Sequence, residues 1–136
     1  MGVAVETVSE STDFKSLCSC HQAAKWAALS YEIAGENASV EPFFVNENLV
    51  ETSGCQGWLV VVPGEGRVEC VIDEDSDLRD AIPRIDEISE SGWAVWALLP
   101  LARLSFAHEV LESHVERIQG WWDRGETFTF TSPEIP

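Results

Sequence analysis

Four cysteines, three histidines and a dense run of acids are the residues of this 136-residue chain whose types could do chemistry. The sharpest cluster is Cys18-Ser19-Cys20-His21. Zinc needs three or four ligands converging on a tetrahedron. Cys18 and His21 are spaced to share one face of a helix, and Cys20 then points away from them. Cys55 and Cys70 stand alone and no C-x-x-C knuckle occurs, so no metal site is assigned. Cys18 reads as a small packing residue. Cys55, in Gly54-Cys55-Gln56-Gly57, sits in a turn entering a strand. A nucleophilic thiol needs a histidine base, and the usual elbow runs from strand to helix. His108 and His114 are about 240° apart around a helix, so they cannot share a metal there. The H-E-x-x-H spacing would need a histidine where Glu112 stands. His114 reads as a core histidine and His108 as a surface one. No glycine-rich nucleotide loop and no Walker lysine occur, so neither a nucleotide nor any other cofactor is expected. No catalytic residue is assigned.

Charge is the second signal. Asp and Glu number 24 against 8 Lys and Arg, a formal net charge of −16. Lysine occurs only at Lys15 and Lys25. A chain without a basic patch is poorly suited to displacing the counterions of a nucleic-acid backbone, so direct nucleic-acid binding is not expected. The densest acidic run is Asp73-Glu74-Asp75-Ser76-Asp77, with Asp80 beyond it. It lacks the glycine and terminal glutamate of a calcium loop. Such a run either solvates the surface, reflects a salt-adapted host, or steers a basic partner into contact. Six tryptophans are the third signal. Trp93 and Trp96 fall in an apolar run and are expected in the core, with Trp26 and Trp58 in the core or half-buried. Trp121-Trp122 is different: adjacent residues on a helix cannot both face one core. One indole is therefore expected to be exposed, and exposed aromatics suit partner interfaces.

The elements that must position these residues follow from periodicity. A helix is expected over about 13–34, with Ala23, Ala24, Ala27 and Ala28 allowing close approach and Gly35 ending it. Val40–Val45 reads as a strand that Pro42 confines to an edge, and Leu49–Thr52 as a short second strand. A β-hairpin is expected at 57–72 around Pro63-Gly64-Glu65-Gly66, with Val62 opposite Arg67 and Leu59 opposite Cys70. That register argues against a Cys55–Cys70 disulfide. An amphipathic helix follows at 76–90, which Pro83 must kink or divide. Trp93–Leu99 reads as a buried central strand. The pattern of Ala107, Val110, Leu111, His114, Ile118 and Trp121 predicts a helix over 105–122. Thr127–Thr131 alternates as a half-buried strand. Residues 1–11 and 132–136 are expected to be loose.

These elements predict a single α+β domain with a mixed sheet of about five strands; the alternative is a three-layer α/β sandwich. No run approaches the ~20 apolar residues of a membrane span, and no basic-apolar leader opens the sequence. A cytoplasmic setting with free thiols is expected. The expected function is a non-catalytic acidic binding protein, inhibitor- or immunity-like, that occupies a basic site on another protein or a nucleic-acid-binding enzyme. Asp73, Glu74, Asp75, Asp77 and Asp80 would steer it, and Trp121 or Trp122 would anchor it. The rivals are a small cysteine/histidine enzyme or metal-binding protein, and a structural subunit, including a homo-oligomer, with a salt-adapted surface.

Overall fold

The computed structural model describes residues 19–43, 57–73, 78–125 and 127–136. Helix α1 (Ser19–Ile33) leads into strand β1 (Ser39–Pro42). The hairpin follows as β2 (Gly57–Val62) and β3 (Arg67–Ile72). Then come α2 (Leu78–Glu90), β4 (Ala94–Pro100), α3 (Leu104–Leu111), β5 (Arg117–Asp123) and β6 (Phe128–Phe130). The fold is α+β. The strands form one mixed sheet in the order β1-β2-β3-β4-β5-β6, six strands where five were expected. Neighbours are antiparallel except β3–β4 and β4–β5, which are parallel and joined across α2 and α3.

Local chemistry explains the hairpin. Pro63 opens a single tight turn, and Gly66 closes it at φ +62, in the left-handed region that glycine enters without strain. The register places Val62 opposite Arg67 and Leu59 opposite Cys70, as the sequence predicts. β1 lies at the sheet edge, where Pro42 costs no ladder bond.

Alternation along the strands splits the core in two. Leu59, Val68, Cys70, Val95, Leu99 and Ile118 point to one face, where Leu78, Ile85 and Ile88 of α2 and Ala107 and Leu111 of α3 cover them. Val60, Val62, Val71, Leu98, Trp121 and Phe128 point to the other, under Ala23, Ala24, Ala27 and Ala28 of α1. Small alanine side chains let α1 lie close to the sheet. The layering, helix–sheet–helix, is that of the three-layer alternative. Cys20 is buried on this α1 face.

The third helix is the main correction. It ends at Leu111, and 117–123 is strand β5. The helical spacing of Ile118 and Trp121 is coincidental: Gly120 disfavours helix, and bulky Ile118, Trp121 and Trp122 suit a strand paired on both sides. The turn after Leu111 carries His114 out of the core. His114 is half-buried, with Nδ1 2.9 Å from Asp86 Oδ1 on α2. Pro83 neither ends nor divides α2, and it is exposed. Trp93 and Trp96 are half-buried rather than core. The tail expected to be loose is held at Glu134, which exchanges backbone hydrogen bonds with Ile118 at 2.8 and 2.9 Å. Glu134 Oε1 also lies 2.9 Å from His108 Nε2. The expected loose arm at 1–11 and the expected strand at 49–52 lie outside the described residues.

At Gly57 the sheet leaves no room for a side chain. A Cβ there would stand 2.9 Å from the Val71 carbonyl oxygen. Gly57→Ala should therefore lower stability by about 1–3 kcal/mol in chemical denaturation. Gly64→Ala, whose Cβ meets only Glu36 at 3.5 Å, should change it by less than about 0.5 kcal/mol.

Candidate functional site

The described residues expected to bind a partner do not form one site. Asp73 ends β3, half-buried, and its carbonyl accepts a hydrogen bond from Arg103 at 3.1 Å. Asp80 is exposed in the first turn of α2. Glu74, Asp75 and Asp77 lie outside the described residues. Trp121 and Trp122 occupy a strand, so they point to opposite faces. Trp121 is 4% exposed and meets the edge of Phe128 with ring centroids 5.8 Å apart. It is a core residue, not an exposed anchor. Its indole N–H is buried with no hydrogen-bond partner among the described residues. Trp122 is half-buried on the opposite face.

The thiol and imidazole chemistry is also displaced. Cys18 and Cys55 lie outside the described residues. Cys20 and Cys70 are buried. Burial, reinforced by the nearby Asp73 charge, raises the pKa of Cys20; burial pushes Cys70 up to about 12. Thiols so protonated are poor nucleophiles. His21 stacks flat on Trp58, with centroids 3.6 Å apart and planes 3° apart. Burial, with the charge of Lys25, lowers its pKa to about 4, so its ring is neutral at physiological pH. Among the described residues, no three His, Cys, Asp or Glu side chains gather as a metal site.

The densest polar chemistry lies where the sequence reading did not look. Glu69 is 1% exposed, on the sheet face covered by α1. The Tyr31 hydroxyl, from the C-terminal half of α1, donates to its Oε2. Arg67 Nε donates to the same oxygen at 3.1 Å, and Arg67 Nη2 donates to the Tyr31 hydroxyl. The guanidinium lies 4.0 Å from the centre of the Trp96 ring, in a cation–π contact, and Trp96 donates to Glu116 at 3.0 Å. Strand alternation explains the cluster: 67 and 69 share a face, and the register sets Glu69 beside Trp96. Desolvation raises the Glu69 pKa despite the opposing bonds from Tyr31 and Arg67. Tyr31 is raised as well, by burial and then by Glu69. Two charged residues on one parity of an otherwise apolar strand, Arg67-Val68-Glu69-Cys70-Val71-Ile72, are the signal that marks this cluster.

Among the described residues, cavities lie on both sides of the sheet. One of about 420 Å³ lies on the α2 side, lined in part by Glu41, Arg84, Glu87 and Trp93. There Arg84 is engaged, donating to Glu87 at 2.7 Å and to the Phe43 carbonyl at 2.8 Å. The other, of about 130 Å³, lies on the α1 side and includes Tyr31 and Glu69.

The buried pair generates a pH prediction. A carboxyl whose pKa is raised on folding binds its proton more tightly in the native state. Its contribution to stability therefore falls as pH rises from 4.5 through the raised value. Arg67→Met removes the compensating charge and should cost about 3–5 kcal/mol at pH 8. The deficit should shrink below pH 4.5, and adding Glu69→Gln should recover at least half of it at pH 8, read by urea denaturation across pH. A second expectation concerns the thiols. In a Cys18→Ser/Cys55→Ser variant, Cys20 and Cys70 should resist a thiol reagent in the native state and react only on unfolding.

Comparison with known protein families, with curated protein sequences and with solved structures finds no match to this chain, so its functional reading rests on these residues.

Proposed function

We propose that the chain is a non-catalytic binding protein whose acidic surface receives a basic site on another protein, as an inhibitor or immunity factor does. The observation that carries this reading is the division of charge between inside and outside. Most of the described arginines are engaged by the protein itself. Arg67 serves Glu69, Arg84 serves Glu87 and the Phe43 carbonyl, and Arg103 serves the Asp73 carbonyl. Arg117 donates to the Glu116 carbonyl, and Arg79 lies over the Phe106 ring. The acids mostly face water. Asp80, Glu87 and Glu90 on α2, Glu109 on α3 and Glu112 just beyond it are exposed on the layer that covers one face of the sheet. A net charge of −16 with so few outward cations makes a strongly negative exterior. Such a field speeds encounter with a basic surface and orients it. The anchoring role falls to Trp122, since Trp121 is buried. Among the described residues no helix is long and apolar enough to cross a membrane, so a membrane-spanning helix plays no part in this reading.

The test distinguishes a localised site from generic acidity. Wild-type protein, an Asp80→Lys/Glu87→Lys/Glu90→Lys variant and a control reversed at Glu32, Glu41 and Asp123 are immobilised. Extract of the native cells is then passed over each at low and high salt. A discrete basic protein should be retained by wild type and control, lost from the α2 variant and released by salt, because exposed charges are screened beyond ~8 Å at physiological ionic strength. Equal retention by both variants, or no discrete species on wild type, overturns the proposal and leaves the acidity as a solvated or salt-adapted surface.

A further inference from the structure

The cavity of about 130 Å³ on the α1 face has the volume of roughly four waters. Ala27, Leu98 and Phe130 give it apolar walls, and Ser30, Tyr31, Glu69 and Gln119 give it polar ones. Most donors among these polar groups are turned elsewhere. Gln119 Nε2 donates to the Thr131 carbonyl at 2.6 Å, Ser30 Oγ donates to the Trp26 carbonyl at 3.1 Å, and the Tyr31 hydroxyl donates to Glu69. Acceptors are left over. Both hydrogen bonds that Glu69 receives end on Oε2, so no described protein donor serves Oε1. Gln119 Oε1 and the Ser30 lone pairs are likewise unused. No lysine or arginine lines the cavity. Arg67, behind it, stands 3.8 Å from Glu65 as well as 3.1 Å from Glu69, so its one charge meets two carboxylates.

We propose that this slot receives the ammonium head of a lysine side chain. An ammonium carries three donors and no acceptor, which suits a slot where spare acceptors outnumber the one uncommitted donor, the second N–H of Gln119. Phe130 adds an aromatic wall, a residue type that attracts cations, and the methylenes of a lysine stem suit the Ala27 and Leu98 walls. A flat, five-donor guanidinium is bulkier and fits a narrow, acceptor-lined slot less well. The assignment deepens the proposed recognition of a basic partner and rests on it.

The whole chain is titrated at low salt with N-acetyl-lysine methylamide, and in parallel with the norleucine and arginine analogues, by calorimetry and amide NMR. The lysine probe should bind saturably and at least ten-fold more tightly than either analogue, with shifts centred on Ser30, Tyr31, Gln119 and Phe130. Glu69→Gln should weaken it at least ten-fold while circular dichroism stays native. Ser30→Tyr, a change at an exposed position on the rim, should block it and serves as the test should Glu69→Gln fail to fold. Absence of saturable shifts at these residues overturns the assignment, as does equal binding of the norleucine or arginine probe, or lysine binding unchanged by Ser30→Tyr. Slot failure with partner capture still lost on reversal of the α2 acids removes only this assignment. Slot binding without that loss removes the surface reading instead.

Discussion

The carboxylate of Glu69 and the guanidinium of Arg67, 3.1 Å apart beneath α1, are the contact on which the arrangement of this domain turns. An ion taken out of water costs several kcal/mol unless it is paired and hydrogen-bonded. Here the pairing draws on three elements at once. β3 supplies both charges, α1 supplies the Tyr31 hydroxyl, and β4 supplies the Trp96 ring against which the guanidinium rests. Slippage of β3 by one residue would turn both charges onto the α2 side, among Leu59, Val95 and Ile85. The network thus fixes the register of the sheet and the height of α1 above it in ways that alanine packing alone cannot.

Much of the architecture is legible in the sequence because it is written in local codes. Pro63-Gly64-Glu65-Gly66 specifies the hairpin, and residue spacing across it specifies which side chains pair. Pro42 marks an edge, and the doubly apolar run at Trp93–Leu99 marks a strand buried on both faces. The region after Leu111 is not legible in the same way. Ile118 and Trp121 satisfy a helical period by accident, and what makes them a strand is the presence of β4 and β6 on either side. Tertiary pairing overrides periodicity there, and the role of the tryptophan pair changes with it.

The candidate site was hidden for a related reason. Glu69, Tyr31 and Trp96 are far apart in sequence, and none belongs to a motif with fixed spacing. Only the folded register brings Glu69 beside Trp96 and sets the end of α1 over both. The acidic exterior, by contrast, is a property of composition and is visible at once. What composition conceals is where the cations go. The fold draws most of the described arginines into carbonyls, carboxylates and rings, so the field outside is more negative than an even spread of the same residues would make it.

The strand order has a consequence for how the chain comes together. Among the described residues, each strand lies beside the strand that precedes it in sequence, with none inserted later between earlier neighbours. From β2 onward, each described pairing therefore joins strands separated by one turn or one crossover. Loop-closure entropy stays small at every step, and low contact order of this kind goes with fast folding. A polypeptide emerging from the ribosome could add strands in the order they are made. The last described segment continues past β6 along the same edge of β5 and pairs Glu134 with Ile118, lengthening the contact that β6 begins.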